Sequence, residues 1–226
     1  MTITSSAGNI TLGASGGSIT VGNGSLTLNS NDSITVSNTL SSVASVTMNA
    51  NSGITIGSSV TANGAVALDA DLNNNGFGDL TVSAGSLSTT NKALTVVAND
   101  MILNGTLNSG TGSTILNVSD GGSLGVGFST GFGMNLTTTE QAKIIGTGDL
   151  KLVNEAITFS AGNSFSSSGK LVIGQSGGTI TGQGALTLSA VNGLDIDSSI
   201  TAAGNLVLEG DSNNSANSND RISLAS

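Results

Sequence analysis

Apolar residues along this chain fall in short alternating triplets, and the triplets recur as a three-beat pattern every 20 residues. Ile34-x-Val36, Leu40 and Val46-x-Met48 are followed by Ile54-x-Ile56, Val60 and Val66-x-Leu68. Leu26-x-Leu28 extends the pattern backwards, and it returns at Ile180, Leu186-x-Leu188, Leu194-x-Ile196, Ile200 and Leu206-x-Leu208. Alternation with period 2 predicts short strands whose alternate side chains point inward. A fixed period near 20 residues predicts a solenoid, because one coil cannot bury its own apolar face and must stack on the next. The expected fold is all-β: a right-handed parallel β-helix (β-solenoid) of about ten coils, with about 20 residues and three short strands per coil. With coils set ~4.8 Å apart, the stack is roughly 50 Å long.

A longer repeat is superimposed. Residues 46–74 align without gaps on residues 186–214 at an offset of 140, with 13 of 29 positions identical. After a two-residue insertion, Leu80-x-Val82 matches Ile222-x-Leu224, so 46–82 and 186–224 form a repeated unit within one continuous segment, 1–226. Residues 105–170 are less regular and hold four of the five Phe: Phe128, Phe132, Phe159 and Phe165. These read as internal stacks. Within this stretch, Thr138 or Thr139 before Glu140-Gln141-Ala142-Lys143 predicts a short capped helix at 138–145.

Composition narrows the function classes. Thirty-three Gly and no Pro suit a chain that turns many corners and keeps its strand ladders unbroken. Regularly placed Ile, Val and Leu exclude disorder. Five Lys and Arg against fourteen Asp and Glu give a net charge of −9, with no basic patch. Nucleic acid and anionic membrane surfaces are therefore poor partners. No Cys is present, so there is neither a disulfide nor a thiolate metal site. No signal-peptide pattern and no apolar run long enough for membrane insertion occur. The strand pattern begins at the first residues and continues to the last without polar caps. This predicts an excerpt of a longer chain, or a unit that associates through the β-helix ends.

The sharpest local motif is Asp71-Leu72-Asn73-Asn74-Asn75-Gly76-Phe77-Gly78-Asp79. Asp71, Asn73, Asn75 and Asp79 carry oxygens at positions 1, 3, 5 and 9, with Gly at 6, as in the first half of a calcium loop. Position 12 is Val82, so the bidentate Glu of an EF-hand is missing. Calcium is the one cofactor the sequence suggests, and a polar bulge is the alternative. The repeat copy, Asp211-Ser212-Asn213-Asn214-Ser215, keeps positions 1 and 3, and Asp69 and Glu209 precede the two loops by two residues. Asp195 and Asp197 flank Ile196 as a carboxylate pair. With no His, Trp or Tyr and scattered basic residues, no catalytic constellation is legible and the chain reads as a non-enzyme. Thr fills the outward slot of many triplets, among them Thr11, Thr35, Thr55 and Thr81, as β-propensity favours. Two outward Thr per strand, as in Thr2-Ile3-Thr4 and Thr179-Ile180-Thr181, would suit ice binding, but most strands supply one.

Several segments together resemble the large exoproteins related to filamentous haemagglutinin, which leave Gram-negative bacteria by two-partner secretion. They are GSLTLNSNDSITVS, SGITIGSSVTANGAVALDAD, DLNNNGFGD, and LTTTEQAKIIGTGDLKL before GKLVIGQSGGTITGQGALTLSA. The resemblance covers most of the chain. It implies a right-handed β-helical shaft, extracellular or on the bacterial cell surface, exported as part of a longer chain and serving adhesion, cell contact or biofilm structure. An unidentified surface receptor or glycan would be the partner. The alternatives are a subunit that polymerises head to tail into an extracellular filament and, more remotely, an ice-binding solenoid.

Overall fold

The computed structural model describes residues 1–13, 17–214 and 221–224. The chain winds as a parallel β-solenoid of about ten turns, with stacked strands about 21 residues apart. Successive strands take three faces in rotation. The first face runs through Thr2–Ser5, Leu26–Ser30, Val46–Ala50, Val66–Asp69, Leu94–Ala98, Thr114–Val118 and Leu150–Val153. It continues through the start of Leu171–Gly182 and of Leu194–Ala202 to Ile222–Leu224. The second face begins as Ile10–Leu12, Ile34–Val36, Ile54–Ile56, Leu80–Val82 and Met101–Leu103. The third begins as Ser18–Val21, Thr39–Ser42, Val60–Ala62, Ser86–Thr89, Thr106–Asn108 and Ile144–Ile145. Near the C-terminus, Asn163–Ser167, Leu186–Ala190 and Leu206–Glu209 take the third place in the coil as a separate ladder.

In-register parallel pairing places equivalent residues directly above one another. Leu28, Met48, Leu68, Val96, Leu116, Leu152, Ile173 and Ile196 form one buried column. Ile34, Ile54, Leu80 and Met101 form another on the second face. Each side chain contacts its copies in the coils above and below, so the apolar interior is continuous along the molecule. Outward polar residues zip along the same axis. Asn49 donates to Asn29 at 2.8 Å, and the Thr61 and Ser88 hydroxyls lie 3.2 Å apart.

Four sequence expectations need correction. The helix is shorter than 138–145: it covers Thr138–Gln141, and Ile144–Ile145 is instead a strand paired with Thr106–Asn108. Ile144 packs on the core from that strand. The N-cap is Thr137, at the capping-box distance from Glu140, and neither Thr138 nor Thr139. Third, the strands are not uniformly short, because Leu171–Gly182 and Leu194–Ala202 each run through a corner and serve two faces. Of the four clustered Phe, Phe159 and Phe165 stack edge-on inside at 6.0 Å. Phe128 and Phe132 instead pair at 4.7 Å on a half-buried outer loop.

The irregular segment hides a strand inversion. Leu124–Val126 pairs above with Ala156–Phe159 and below with Met134–Leu136, although Met134–Leu136 comes later in the chain. The chain climbs to Leu124–Val126, turns back through 127–133, and lays Met134–Leu136 beneath it. The second face thus gains a strand without the chain turning a corner, and every later segment falls one face behind. That accounts for the phase of the long repeat: Val46–Ala50 lies on the first face, and its counterpart Leu186–Ala190 takes the third position. Gly125 permits the return, since a Cβ there would lie 2.2 Å from the Phe132 ring that folds over it.

Candidate functional site

The 71–79 loop leaves the corner between the first and second faces. Its base is pinched shut: a Cβ on Gly78 would stand 1.9 Å from the Ala70 carbonyl oxygen, so only glycine fits. Asp71 is fully buried. Its carboxylate accepts the backbone N–H of Asn75 at 3.1 Å and of Gly76 at 2.9 Å, and the Ser119 hydroxyl at 2.6 Å. Asp71 therefore organises the loop from within and ties it to a turn 48 residues away, a role that needs no ion. Asn75 Oδ1 accepts from the Phe77 N–H at 3.1 Å, while Asn73 is exposed at the rim. Asp79 turns to the next coil, where its Oδ1 accepts from Asn99 Nδ2 at 3.0 Å and from the Asp100 N–H at 3.1 Å. The four calcium candidates thus share one loop, with Asp71 and Asp79 held by different partners. Among the described residues no three Asp or Glu stand together.

The repeat copy reproduces the turn on its own corner. Leu72 N–H donates to Ala50 O and Ser212 N–H to Ala190 O, both at 2.9 Å. Asn74 and Asn214 share a left-handed backbone, φ 51° and 53°. Ser215, the fifth position of that copy, lies outside the described residues.

Sequence reasoning missed a seam of carboxylates beside the loop. Asp100 accepts the backbone N–H groups of Met101 and Asn135, both at 2.8 Å. Glu140 accepts the Leu103 N–H at 3.1 Å with one oxygen and the Thr137 N–H at 3.0 Å with the other. Met101–Leu103 has no backbone ladder to the inverted strand above it, and these side chains replace that ladder. The Thr137-x-x-Glu140 spacing signals the cap, but nothing local signals the reach to Leu103. Burial raises the Asp100 carboxyl above its ordinary range, opposed by the Asn135 and Met101 hydrogen bonds and reinforced by Asp79. Burial likewise raises Asp69, opposed by the Asp71 N–H and reinforced by the Asp71 charge.

Successive projections from this corner enclose a groove along the first face. Asn74 and the turn at Ser119–Gly121 form one side, Val97 and Asn117 the floor, and Glu155 and Gln175 the far end. The other candidate sites are more dispersed. Asp195 forms an ion pair with Lys170, and Asp197 is exposed on the same strand. Thr11, Thr35, Thr55 and Thr81 stack on the second face, one per strand. Thr179 and Thr181 lie beside Ser199 and Thr201. Comparison of the chain with protein families, with curated proteins and with solved structures finds no match.

Proposed function

We propose that this chain is a non-catalytic structural shaft within a secreted or cell-surface protein, holding binding surfaces at fixed spacing along its length. The observation that carries this reading is the unbroken buried column from Leu28 to Ile196, which makes the solenoid a single elongated body. The resemblance to haemagglutinin-type exoproteins supports the bacterial surface as its setting, with adhesion, cell contact or matrix formation as its purpose.

The alternative reading is a subunit that stacks head to tail into an extracellular filament, the in-register parallel ladder of the first face continuing from one copy to the next by backbone pairing. Electron microscopy of the purified chain separates the two readings. Isolated rods of roughly 50 Å, as ten coils at ~4.8 Å imply, support the shaft. Fibres of constant width support the filament, and compact globular particles defeat both.

A further inference from the structure

We propose that a gap in the third face, between Ile144–Ile145 and Asn163–Ser167, is a docking slot for an extended peptide of a partner protein, which enters as an added parallel strand. The proposal gives the shaft a partner and does not depend on self-assembly. Strand count, unpaired backbone groups and charge carry it.

Strand count opens the gap. Between Met101–Leu103 and Ala156–Phe159 the second face holds two strands, Met134–Leu136 and Leu124–Val126. Between Thr106–Asn108 and Asn163–Ser167 the third face holds only Ile144–Ile145. The third face is thus one strand short where its neighbour has one extra. A cavity of about 260 Å³ lies there, lined by Ile144, Ile145, Gly146, Ser166 and Ser167 among others. That exceeds the ~150 Å³ of an engineered core cavity that admits benzene. The gap is a wedge, because at the next corner the coils touch again: a Cβ on Gly169 would stand 2.0 Å from the Gly148 carbonyl oxygen. An inserted strand is therefore short and leaves outward there.

The backbone on both sides of the gap is set for a parallel strand. Leu107 N–H donates to Lys143 O, so Ile144 turns its own N–H and C=O up into the gap. Val191 N–H donates to Ser167 O, so Phe165 and Ser167 face the coil above while Ser164 and Ser166 turn their groups down. These backbone groups of Ile144, Ser164 and Ser166 have no hydrogen-bond partner among the described residues. At the other lapse in the ladders, Asp100 and Glu140 supply the missing bonds from within the chain. Here no described side chain does so, and Asn163, at the head of the upper strand, has a buried Oδ1 without a partner. The Ser109 and Ser167 hydroxyls each donate to the carbonyl three residues on, which places Phe165 in the column of Leu107 and Ile144. A three-residue strand whose middle residue joins that column accepts from the N–H groups of Ile144 and Ser166. It donates to the carbonyls of Ser164 and Ile144. Ile144 and Leu150 line the cavity inside, so a small aliphatic residue suits the middle position. Asp149 is the one charged residue of the lining, and its partner Lys151 stands 3.9 Å away. A basic residue just after the strand, where it leaves the wedge, complements Asp149.

The test is NMR titration and amide exchange on the full chain with the end-capped peptides Thr-Val-Thr-Gly-Lys and Thr-Ala-Thr-Gly-Lys. At least one should bind and slow exchange at Ile144 and Ser166. N-methylation of the middle residue, which removes the donor to Ser164, should weaken binding about tenfold. Ser166→Pro should do the same and keep the wild-type melting curve, because it removes an edge donor without a native partner. Asp149→Asn should weaken binding roughly two- to fivefold, as for an exposed ion pair, and leave a peptide ending in Gln unaffected. Failure of both peptides to bind would overturn the proposal and leave the shaft reading intact. So would equal binding of the N-methylated peptide, or protection at Thr2–Ser5 or Ile222–Leu224 in place of Ile144 and Ser166.

Discussion

Asp71 shows how a residue's meaning depends on partners that sequence spacing cannot reveal. Its place at the head of Asp-x-Asn-x-Asn-Gly suggests calcium, while its carboxylate accepts two backbone N–H groups and the Ser119 hydroxyl. Asp71→Ala strands those buried donors, so a loss of about 3 kcal/mol is expected. The loss should be equal with chelator and with calcium on the order of millimolar, where open extracellular sites bind. Thermal melts check this: a calcium-dependent rise in Tm that disappears in Asp71→Ala would establish the metal instead. Asp69 supports a pH prediction. Its folded carboxyl titrates above its unfolded value, so the native state holds the proton more tightly. That contribution is complete below the unfolded value and is lost as pH rises through the folded one. Relative to Asp69→Asn, the wild type should therefore gain stability as pH falls from 7 towards about 4. A constant difference in Tm across that window would refute the assignment.

At the scale of elements, regular coils were legible because inward Ile, Val and Leu stack on their own copies, so pattern and packing coincide. Gly53 and Gly193 show the same agreement: both take left-handed angles, φ 111° and 106°, at equivalent points of the long repeat. The coil around Leu124–Val126 and Met134–Leu136 was not legible. Both triplets are present, but strands that pair after only ten residues violate the 20-residue rhythm, and nothing local marks the return through 127–133. The helix was legible in kind and overextended in length, since Ile144 answers to its ladder partner Leu107. Glu140 joins the two kinds of structure by capping the helix and occupying the Leu103 N–H. Glu140→Ala should cost about 2–3 kcal/mol, combining a lost cap with a stranded backbone donor. Glu140→Gln keeps one acceptor and should cost roughly half as much. Equal and negligible effects in urea melts would show that the seam contributes nothing.

For the whole molecule, stability in a stacked array is close to a sum of coil terms and nearest-neighbour interface terms, so the weakest interface decides where the shaft opens. Most adjacent coils are joined by three backbone ladders. The coil from Thr114 to Ile145 lacks one on each side. Below it, no backbone ladder joins Met101–Leu103 to Met134–Leu136, and the Asp100 and Glu140 side chains supply hydrogen bonds in its place. Above it, no described backbone hydrogen bond joins Ile144–Ile145 to Asn163–Ser167. The first-face ladder through Leu94–Ala98, Thr114–Val118 and Leu150–Val153 remains continuous across both breaks. The Asp71–Ser119 bond adds a strap over the lower one. Amide exchange in residues 119–149 should therefore be the fastest of any internal coil, and Asp71→Ala should accelerate it further while leaving 26–56 unchanged. Heating should split unfolding into two transitions, as expected when an array loses cooperativity at one interface. Uniform protection along the solenoid with a single calorimetric transition would mean that the first-face ladder and the continuous core suffice, and that the inverted strand costs the shaft no cohesion.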